Sequence, residues 1–250
     1  MLQSQFENTR RLRLVFLATV TVFFLGCAAT VPDTARVQDA EIPNYKVSSH
    51  RVEESIDLYI EPQIRNLQAS VMPRSESEVF QAIPVIVGPA LEKALLSMTR
   101  QYFSKITPVG EPEDRPTLTY KLLTYRPVVS VVPGANSTRL NVSARLALQV
   151  SIDSANGAEL FSTTAIGTSH VSDTKLAPGV GLKDAPGLLE VATRNAIIDA
   201  MYDISSIFGN SNDMIYAEVL ASEIDQEFGI EKIDDVILNL RTRRKKTAGH

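Results

Sequence analysis

The side chain best suited to covalent chemistry in this sequence is the thiol of Cys27, the only cysteine among 250 residues. It follows an uncharged run at residues 14–25, LVFLATVTVFFL, which itself follows Arg10, Arg11 and Arg13. A basic segment, a short apolar core and small residues beyond it form the pattern of a secretory signal peptide. As a helix the run would rise only about 18 Å, well short of a hydrocarbon core of about 30 Å. The pattern therefore predicts a signal peptide at residues 1–26.

The residues that end this segment, Phe24-Leu25-Gly26-Cys27, resemble a bacterial lipobox. The resemblance implies that the thiol of Cys27 receives a diacylglyceryl group, that signal peptidase II cuts before Cys27, and that the new amino group is acylated. Ala28 stands where an aspartate is the usual inner-membrane retention mark in enteric bacteria. The resemblance therefore implies a lipid-anchored protein of the outer membrane that faces the periplasm.

Two other interpretations of this segment stay open. Residues 14–31 give eighteen positions without a charge, which is just long enough for an uncleaved anchor in the inner membrane. The second interpretation is that the segment is cleaved and the chain is secreted without a lipid. No second cysteine is present, so an intrachain disulfide is excluded in every case.

The remaining chemistry-bearing residues do not form a catalytic or metal-binding set. His50, His170 and His250 have no partner at metal-ligand spacing. Ser169, His170 and Asp173 have the residue types of a hydrolytic triad. Neighbours in a strand point to opposite faces, however, so Ser169 and His170 could not hydrogen-bond as nucleophile and base. The sequence predicts no metal, no cofactor and no enzymatic activity.

Composition and charge limit the partners. Apolar residues make up 44% of the chain, enough to fill a core, and the formal net charge is −4. Residues 1–26 carry three arginines and Glu7, or +2, so the mature chain would be at −4 − 2 = −6. This mild acidic balance argues against nucleic-acid binding.

Periodicity divides the rest of the chain into strands and helices. We predict strands at residues 55–61, 117–125, 139–153 and 158–170, and helices at 87–106 and 187–208, the latter ended by Gly209-Asn210. Residues 128–132 either continue the strand before them or pair beside it. Residues 139–153 have the clearest pattern, with apolar side chains at every even position, which is typical of a long strand with one buried face.

These elements predict an α+β fold: an antiparallel sheet of about four to five strands with two helices packed on one face, plus a C-terminal helical extension. The predicted domain boundaries are a signal peptide at 1–26, a lipidated cysteine and flexible tether at 27–50, and a periplasmic domain at 51–210. Accessory helices at 211–240 and a basic tail at 241–250 follow.

The layout from about residue 88 to residue 215 resembles small YajG-like outer-membrane lipoproteins. The resemblance rests on GPALEKALLSM, YKLLTY, RLNVSARLALQVSID, the turn SANG and ATRNAIIDAMYDI. It implies an α+β periplasmic domain without a known active site, so no catalytic residue is carried over.

Two C-terminal features are candidates for binding. The first is an apolar seam of Ile230, Ile233, Ile237 and Leu240, with spacings of 3, 4 and 3, which either packs on its own domain or binds a partner as an amphipathic helix. The second is a basic segment that either is a disordered soluble tail or contacts lipid phosphates or an acidic envelope component. Its residues are Arg241, Arg243, Arg244, Lys245 and Lys246.

The function that these features indicate is that of a non-enzymatic envelope lipoprotein, tethered through Cys27, in a structural, assembly or partner-binding role. We expect envelope proteins and the membrane as partners. One alternative is a carrier of a lipid or another small ligand, in which the even-numbered side chains of residues 139–153 line a cavity, although they could equally form a core. The other alternative is a protein held in the inner membrane by an uncleaved anchor.

Overall fold

Apolar residues at every second position make β-sheet the main component of this fold. The computed structural model describes residues 33–43, 52–75, 80–112, 115–134, 137–175 and 182–228, with the side chains of these ranges except at 52–54, 175 and 210–228. In chain order its elements are β1 (Ala35–Arg36), β2 (Val52–Ile60), α1 (Pro62–Arg65), β3 (Gln68–Val71), β4 (Ile83–Ile86), α2 (Gly88–Tyr102), β5 (Phe103–Val109), β6 (Thr117–Pro133), β7 (Thr138–Asp153), β8 (Glu159–Lys175), a 3₁₀ turn (Leu182–Asp184) and α3 (Ala185–Phe228).

The strands form two sheets, in the orders β1-β4-β3 and β5-β2-β6-β7-β8. The predicted α+β class is confirmed, with most of the described chain in strands and a long helix at its C-terminal end. The three-stranded sheet was not predicted, because its strands are at most four residues long and too short to show a period.

β7 has the predicted long, half-buried character. Its even-numbered apolar side chains, from Leu140 to Ile152, are at most 2% exposed, whereas Arg145 on the other face is exposed. β7 pairs antiparallel with β6 and β8 along nearly its whole length. The two segments predicted at 117–125 and 128–132 form the single strand β6, whose pairing with β7 shifts at Leu123.

The prediction that the main sheet is antiparallel throughout is wrong. β2 pairs parallel with β5 on one side and with the start of β6 on the other. The chain between β2 and β5 passes through α1, β3, β4 and α2, and such a crossover is what allows neighbouring strands to run in the same direction. Alternation of side chains reports burial and not strand direction, so the sequence pattern could not reveal this.

α2 begins with Pro89 in its first turn and buries one face: Leu91, Ala94, Leu95, Met98 and Tyr102. It is shorter than the predicted helix at 87–106, because Phe103 is extended (φ −114°, ψ 133°) and the chain enters β5 at once. The end of α2 contacts α3, since Tyr102 Oη lies 2.7 Å from Ser205 Oγ. The rings of Tyr102 and Phe103 each meet the ring of Phe208 edge to face.

Two tyrosine hydroxyls join the helices to β6. Tyr120 Oη lies 3.0 Å from Thr99 Oγ1 of α2, and Tyr125 Oη lies 2.7 Å from Thr193 Oγ1 of α3. Both rings face the same side of the sheet, because the bulge at Leu123 restores their register with Val150 and Leu146 of β7. Burial raises the pKa of both hydroxyls, that of Tyr125 to about 12, against a smaller lowering by the threonine hydrogen bonds. These contacts fix one point of each helix, and the wider packing of both helices on one face stays a prediction.

The prediction that this helix ends at Gly209-Asn210 is wrong. α3 continues without a break to Phe228. A Cβ at Gly209 would meet no atom within 4 Å, so no tertiary contact forces the chain to turn there. Glycine in a helix costs only about 1 kcal/mol relative to alanine, and the good helix formers at residues 217–223 offset it. The helix predicted at 187–208 and the accessory region predicted from residue 211 are therefore one helix as far as residue 228.

Part of the segment predicted as a tether, residues 27–50, contacts the domain. Ala35 and Arg36 of β1 pair parallel with Val85 and Ile86 of β4, and Ala35 is 2% exposed. The carboxylate of Asp39 forms an ion pair with Lys93 of α2.

The outer edge of β8 is covered by α3. Asp203 accepts a hydrogen bond from Ile166 N–H and Asp199 accepts one from Thr168 N–H, both at 2.8 Å. The helix comes so close because Gly167 has no side chain: a Cβ there would lie 1.9 Å from Ala196 O. Unpaired edge groups invite pairing with other chains, and here two N–H groups are occupied by carboxylates.

We therefore expect Gly167→Ala to lower the free energy of unfolding by at least about 2 kcal/mol, because backbone must move to admit the methyl group. Gly209→Ala is the matched control, since its methyl group meets nothing, and should be neutral or stabilise by up to about 1 kcal/mol. Urea denaturation of both variants measures the difference. Equal stability of the two would show that α3 does not approach β8 as described.

Candidate functional site

The site residues predicted from the sequence all lie outside the described residues. They are the lipidation residue Cys27; the seam residues Ile230, Ile233, Ile237 and Leu240; and the basic residues Arg241, Arg243, Arg244, Lys245 and Lys246. Their roles stay predictions.

The apolar face of β7 is packed in the core. All of its even-numbered side chains from Val142 to Ile152 belong to one buried cluster that includes residues of α2 and α3. None of them lines the cleft described below. The carrier hypothesis, in which they line a lipid cavity, therefore gains no support from the structure, and the core interpretation accounts for them.

A cleft lies on the opposite, polar side, at the end of the sheet. Its volume is about 440 Å³, and it is lined by Pro112, Thr117, Asp153 and the turn at 154–157. The turn that forms one wall is held by its own hydrogen bonds. Ser154 Oγ accepts from Ala158 N–H at 3.1 Å, and Gly157 adopts φ +79°, which a residue without Cβ does at no steric cost.

Three side chains form a row on this face. Asp57 of β2 is in register with Thr117 of β6, and Thr117 is in register with Asp153 of β7. Register partners in a sheet point to the same side, and neighbouring strands lie about 4.8 Å apart. The Cα atoms of Asp57 and Asp153 are therefore about 10 Å apart, on either side of Thr117.

Two polar side chains on this face of the sheet are buried, although neither lines the cleft. Asp57 is 3% exposed and Thr119 is 2% exposed. Asp57 Oδ1 and Thr119 Oγ1 have no hydrogen-bond partner in the described part of the chain. A buried polar group without a partner is costly, and above all a carboxylate. Native structures rarely keep one without a reason.

The pKa of the Asp153 carboxyl is raised above its usual value. Burial raises the pKa of its carboxyl, the nearby charge of Glu159 raises it further, and Lys121 opposes both. Glu159 is in register with Asp153 across the β7–β8 pair. Asp153, which lines the cleft, therefore lies near a second carboxylate, whose effect on it Lys121 partly offsets.

The arrangement offers charge and hydrogen-bond acceptors rather than a catalytic set. Ser169 is in register with Ala144 and His170 with Ser143, so the two side chains lie on opposite faces of β8, as predicted. Among the described residues no group of three potential metal ligands is found. Within the same ranges, no helix combines the length and the apolarity needed to cross a membrane.

Asp57 was not singled out from the sequence. It alternates with Ile56 and Leu58, so the pattern places it on the polar, solvent-facing side of a strand. It is nevertheless only 3% exposed. No signal in a single sequence distinguishes such a position from an exposed one.

Comparisons with known proteins give only distant likenesses. No protein-family model matches the chain, and no curated protein matches it. It is similar to a minor lipoprotein of Acinetobacter baumannii, with 12% identity, a TM-score of 0.35 and coverage of 64% of this chain and 95% of that one. A rare lipoprotein B from Shewanella oneidensis has 12% identity, a TM-score of 0.31 and coverage of 64% and 98%.

A third similar structure is a putative neuraminyllactose-binding hemagglutinin homolog from Helicobacter pylori. It has 9% identity and a TM-score of 0.35, and the match covers 75% of this chain and all of that one. With TM-scores below 0.5, these likenesses do not establish a shared fold or a shared function.

The raised pKa of Asp153 predicts how the stability of one variant depends on pH. Its pKa is higher in the folded chain than in the unfolded chain, so ionised Asp153 opposes folding. Asp153→Asn should therefore be more stable than wild type at pH 7, and the difference should shrink to nothing as the pH falls through the folded pKa towards pH 3. Thermal melts at a series of pH values measure this, with the exposed Asp33→Asn as control. An Asp153→Asn variant less stable at pH 7 would contradict the stated cause.

Proposed function

We propose that this chain is a non-enzymatic lipoprotein of a bacterial envelope, held at the periplasmic side of the outer membrane by acyl chains on Cys27. The observation that carries the proposal is the position of the only cysteine, directly behind a basic segment and a short apolar run and within FLGC. Each buried methylene contributes roughly 0.8 kcal/mol, so one chain binds weakly and two or three bind durably. We also infer a domain of the YajG-like kind.

No catalytic role is included in the proposal. The one group with the residue types of a triad is divided between two faces of β8, as described above. The polar cleft brings together carboxyl and hydroxyl groups without a nucleophile paired to a base. A scaffold that works through contacts accounts for the chain with fewer assumptions than an enzyme does.

The helix α3 supports a role in binding a partner. Its 44 residues would span about 66 Å if straight, whereas a compact domain of this size is on the order of 40 Å across. The backbone of α3 stays helical to Phe228. The apolar seam begins two residues later, at Ile230. We propose that the seam docks on an envelope protein partner.

The basic segment at 241–246 fits the same role. It follows the seam directly and carries five positive charges on a chain whose net charge is −4. Segments of this kind contact anionic lipid head groups or acidic protein surfaces, each basic residue near a membrane contributing on the order of 1 kcal/mol. We propose that it strengthens the contact made by the seam.

The anchor is tested by processing and location. Wild type should lack residues 1–26 and sediment with outer-membrane fractions. Cys27→Ala should keep residues 1–26, because the acylated cysteine is required before cleavage, and should move to inner-membrane fractions. Ala28→Asp is the matched control: it should be processed like wild type but stay in the inner membrane. A Cys27→Ala chain with the length and distribution of wild type would refute the lipid anchor.

The seam is tested by a pair of adjacent substitutions. Ile237→Asp places a charge within the seam, whereas Leu238→Asp places the same charge about 100° around a helix. Chemical cross-linking in intact cells should give an adduct of defined mass with wild type and Leu238→Asp, reduced at least about fivefold with Ile237→Asp. Equal adducts from all three chains, or none from wild type, would count against a partner at the seam.

A further inference from the structure

The polar face of the main sheet becomes basic beyond the bulge of β6, at the end away from the cleft. We propose that this basic face lies against the anionic lipid head groups of a membrane surface, with phosphate bound between Arg126 and Arg145. The surface takes no part in the function proposed above. The inference applies whether the chain is held to the membrane by acyl chains or by an uncleaved anchor.

The basic face consists of alternate residues of three neighbouring strands, namely 124–132 of β6, 139–147 of β7 and 166–174 of β8. These positions include Arg126, Arg139, Arg145 and His170, and none of them is aspartate or glutamate. The three arginines and His170 are exposed. The face is therefore cationic on a chain whose net charge is −4.

Two of these arginines lie directly opposite each other. Arg126 of β6 is in register with Arg145 of β7, which places their Cβ atoms about 5 Å apart on the same face. Like charges in such a position destabilise a sheet. Neither arginine belongs to an ion pair found in the described ranges. An anion between them would relieve the repulsion, and the planar guanidinium matches the oxygens of a phosphate group.

The two carboxylates at the edge of this face are occupied by other donors. Asp203 accepts a hydrogen bond from Ile166 N–H, and Asp199 accepts one from Thr168 N–H and lies 3.4 Å from the Thr168 hydroxyl. Thr168 is the register partner of Arg145. No ion pair joins either carboxylate to an arginine in the part of the chain that the structure describes. These carboxylates close the strand edge and leave the arginine pair to an external anion.

Exposed apolar side chains accompany the cations. Val132 and Ile166 belong to the basic face and are 48% and 38% exposed, and Leu123, at the bulge where the face begins, is 52% exposed. Amphipathic helices that lie on membranes use the same combination, in which apolar side chains enter the head-group region and cations stay with the phosphates. The basic face thus carries both kinds of group that a membrane surface binds.

Charge and composition decide among the possible occupants. A second copy placed symmetrically on this face would bring arginines against arginines, and like charges repel. An acidic protein would satisfy the arginines alone. An anionic lipid surface offers phosphates to Arg126 and Arg145 and a hydrocarbon boundary to Leu123 and Ile166, so it accounts for both features. It also lies within reach of any chain that is held to a membrane.

The test uses the full chain in vesicles, with a fluorophore on the basic face. Ser172→Cys introduces a thiol at an exposed position of this face, to be labelled with an environment-sensitive dye. The vesicles contain phosphatidylcholine alone or an equal mixture with phosphatidylglycerol, and both carry a nitroxide lipid that quenches dye at the membrane. We expect at least about threefold stronger quenching with phosphatidylglycerol, since each basic residue near an anionic membrane shifts the equilibrium about fivefold. The difference should vanish at about 1 M salt, where the Debye length is about 3 Å.

Two further chains control for the position of the dye. Asn195→Cys places the dye at an exposed position of α3, in the helical layer, and should be quenched equally in both kinds of vesicle. Labelled wild type measures the signal that Cys27 gives when its thiol is not acylated. A failure of the proposed anchor is therefore distinguished from a failure of the basic face.

Charge variants then identify the residues that bind. In the Ser172→Cys chain, Arg126→Gln with Arg145→Gln should abolish the difference between vesicles. The melting temperature should stay the same or rise, because the repulsion is removed. Arg100→Gln with Lys105→Gln removes two charges at exposed positions of α2 and β5 and should leave the difference unchanged.

Three results would overturn the proposal. The first is equal quenching of the dye at position 172 in both kinds of vesicle. The second is a difference that stays within twofold of its original size after Arg126→Gln with Arg145→Gln. The third is a change in dye emission on addition of soluble polyglutamate but not with phosphatidylglycerol, which would assign the face to an acidic protein partner.

Discussion

The close contact of α3 with β8 at Gly167 is the constraint on which the rest of the domain depends. It lets Asp199 and Asp203 reach the N–H groups of the strand edge, and it seals the buried face of β7 beneath the helix. With that layer fixed, Tyr125 can meet Thr193 of α3, and Tyr102 of α2 can meet Ser205. Because Gly167 has no side chain, α3 can pack closely on β8, and α2 can in turn contact α3.

The two faces of the main sheet carry different kinds of side chain. The face towards α3 carries the apolar side chains of β7, which are buried in the core and contribute stability. The other face is polar, and at one end residues of the β5–β6 connection and of the β7–β8 turn line a cleft. None of the residues that line the cleft belongs to the apolar core.

Sequence patterns identified the elements whose period is sustained. β7, with apolar side chains at every even position, and α2, with one apolar face, were predicted because many residues repeat the same signal. The parallel pairing of β2 and the continuity of α3 through Gly209-Asn210 were not, because strand direction depends on the path of the connection and a lone glycine is only a weak helix breaker. The burial of Asp57 has no sequence signal for a related reason: its alternation is that of an exposed residue, and its burial depends on the tertiary structure. The proposed anchor, in contrast, depends on a purely local signal, namely residues 24–27 and the apolar run before them.

The anchor at Cys27 is the central claim, because it decides where the domain is located and which partners it can meet. The most direct measurement is the intact mass of the protein extracted from membranes with detergent. The account predicts a chain that lacks residues 1–26 and carries the added mass of a diacylglyceryl group and an acyl chain on Cys27. A chain that retains residues 1–26 with no added mass would contradict it and place the domain on an uncleaved inner-membrane anchor instead.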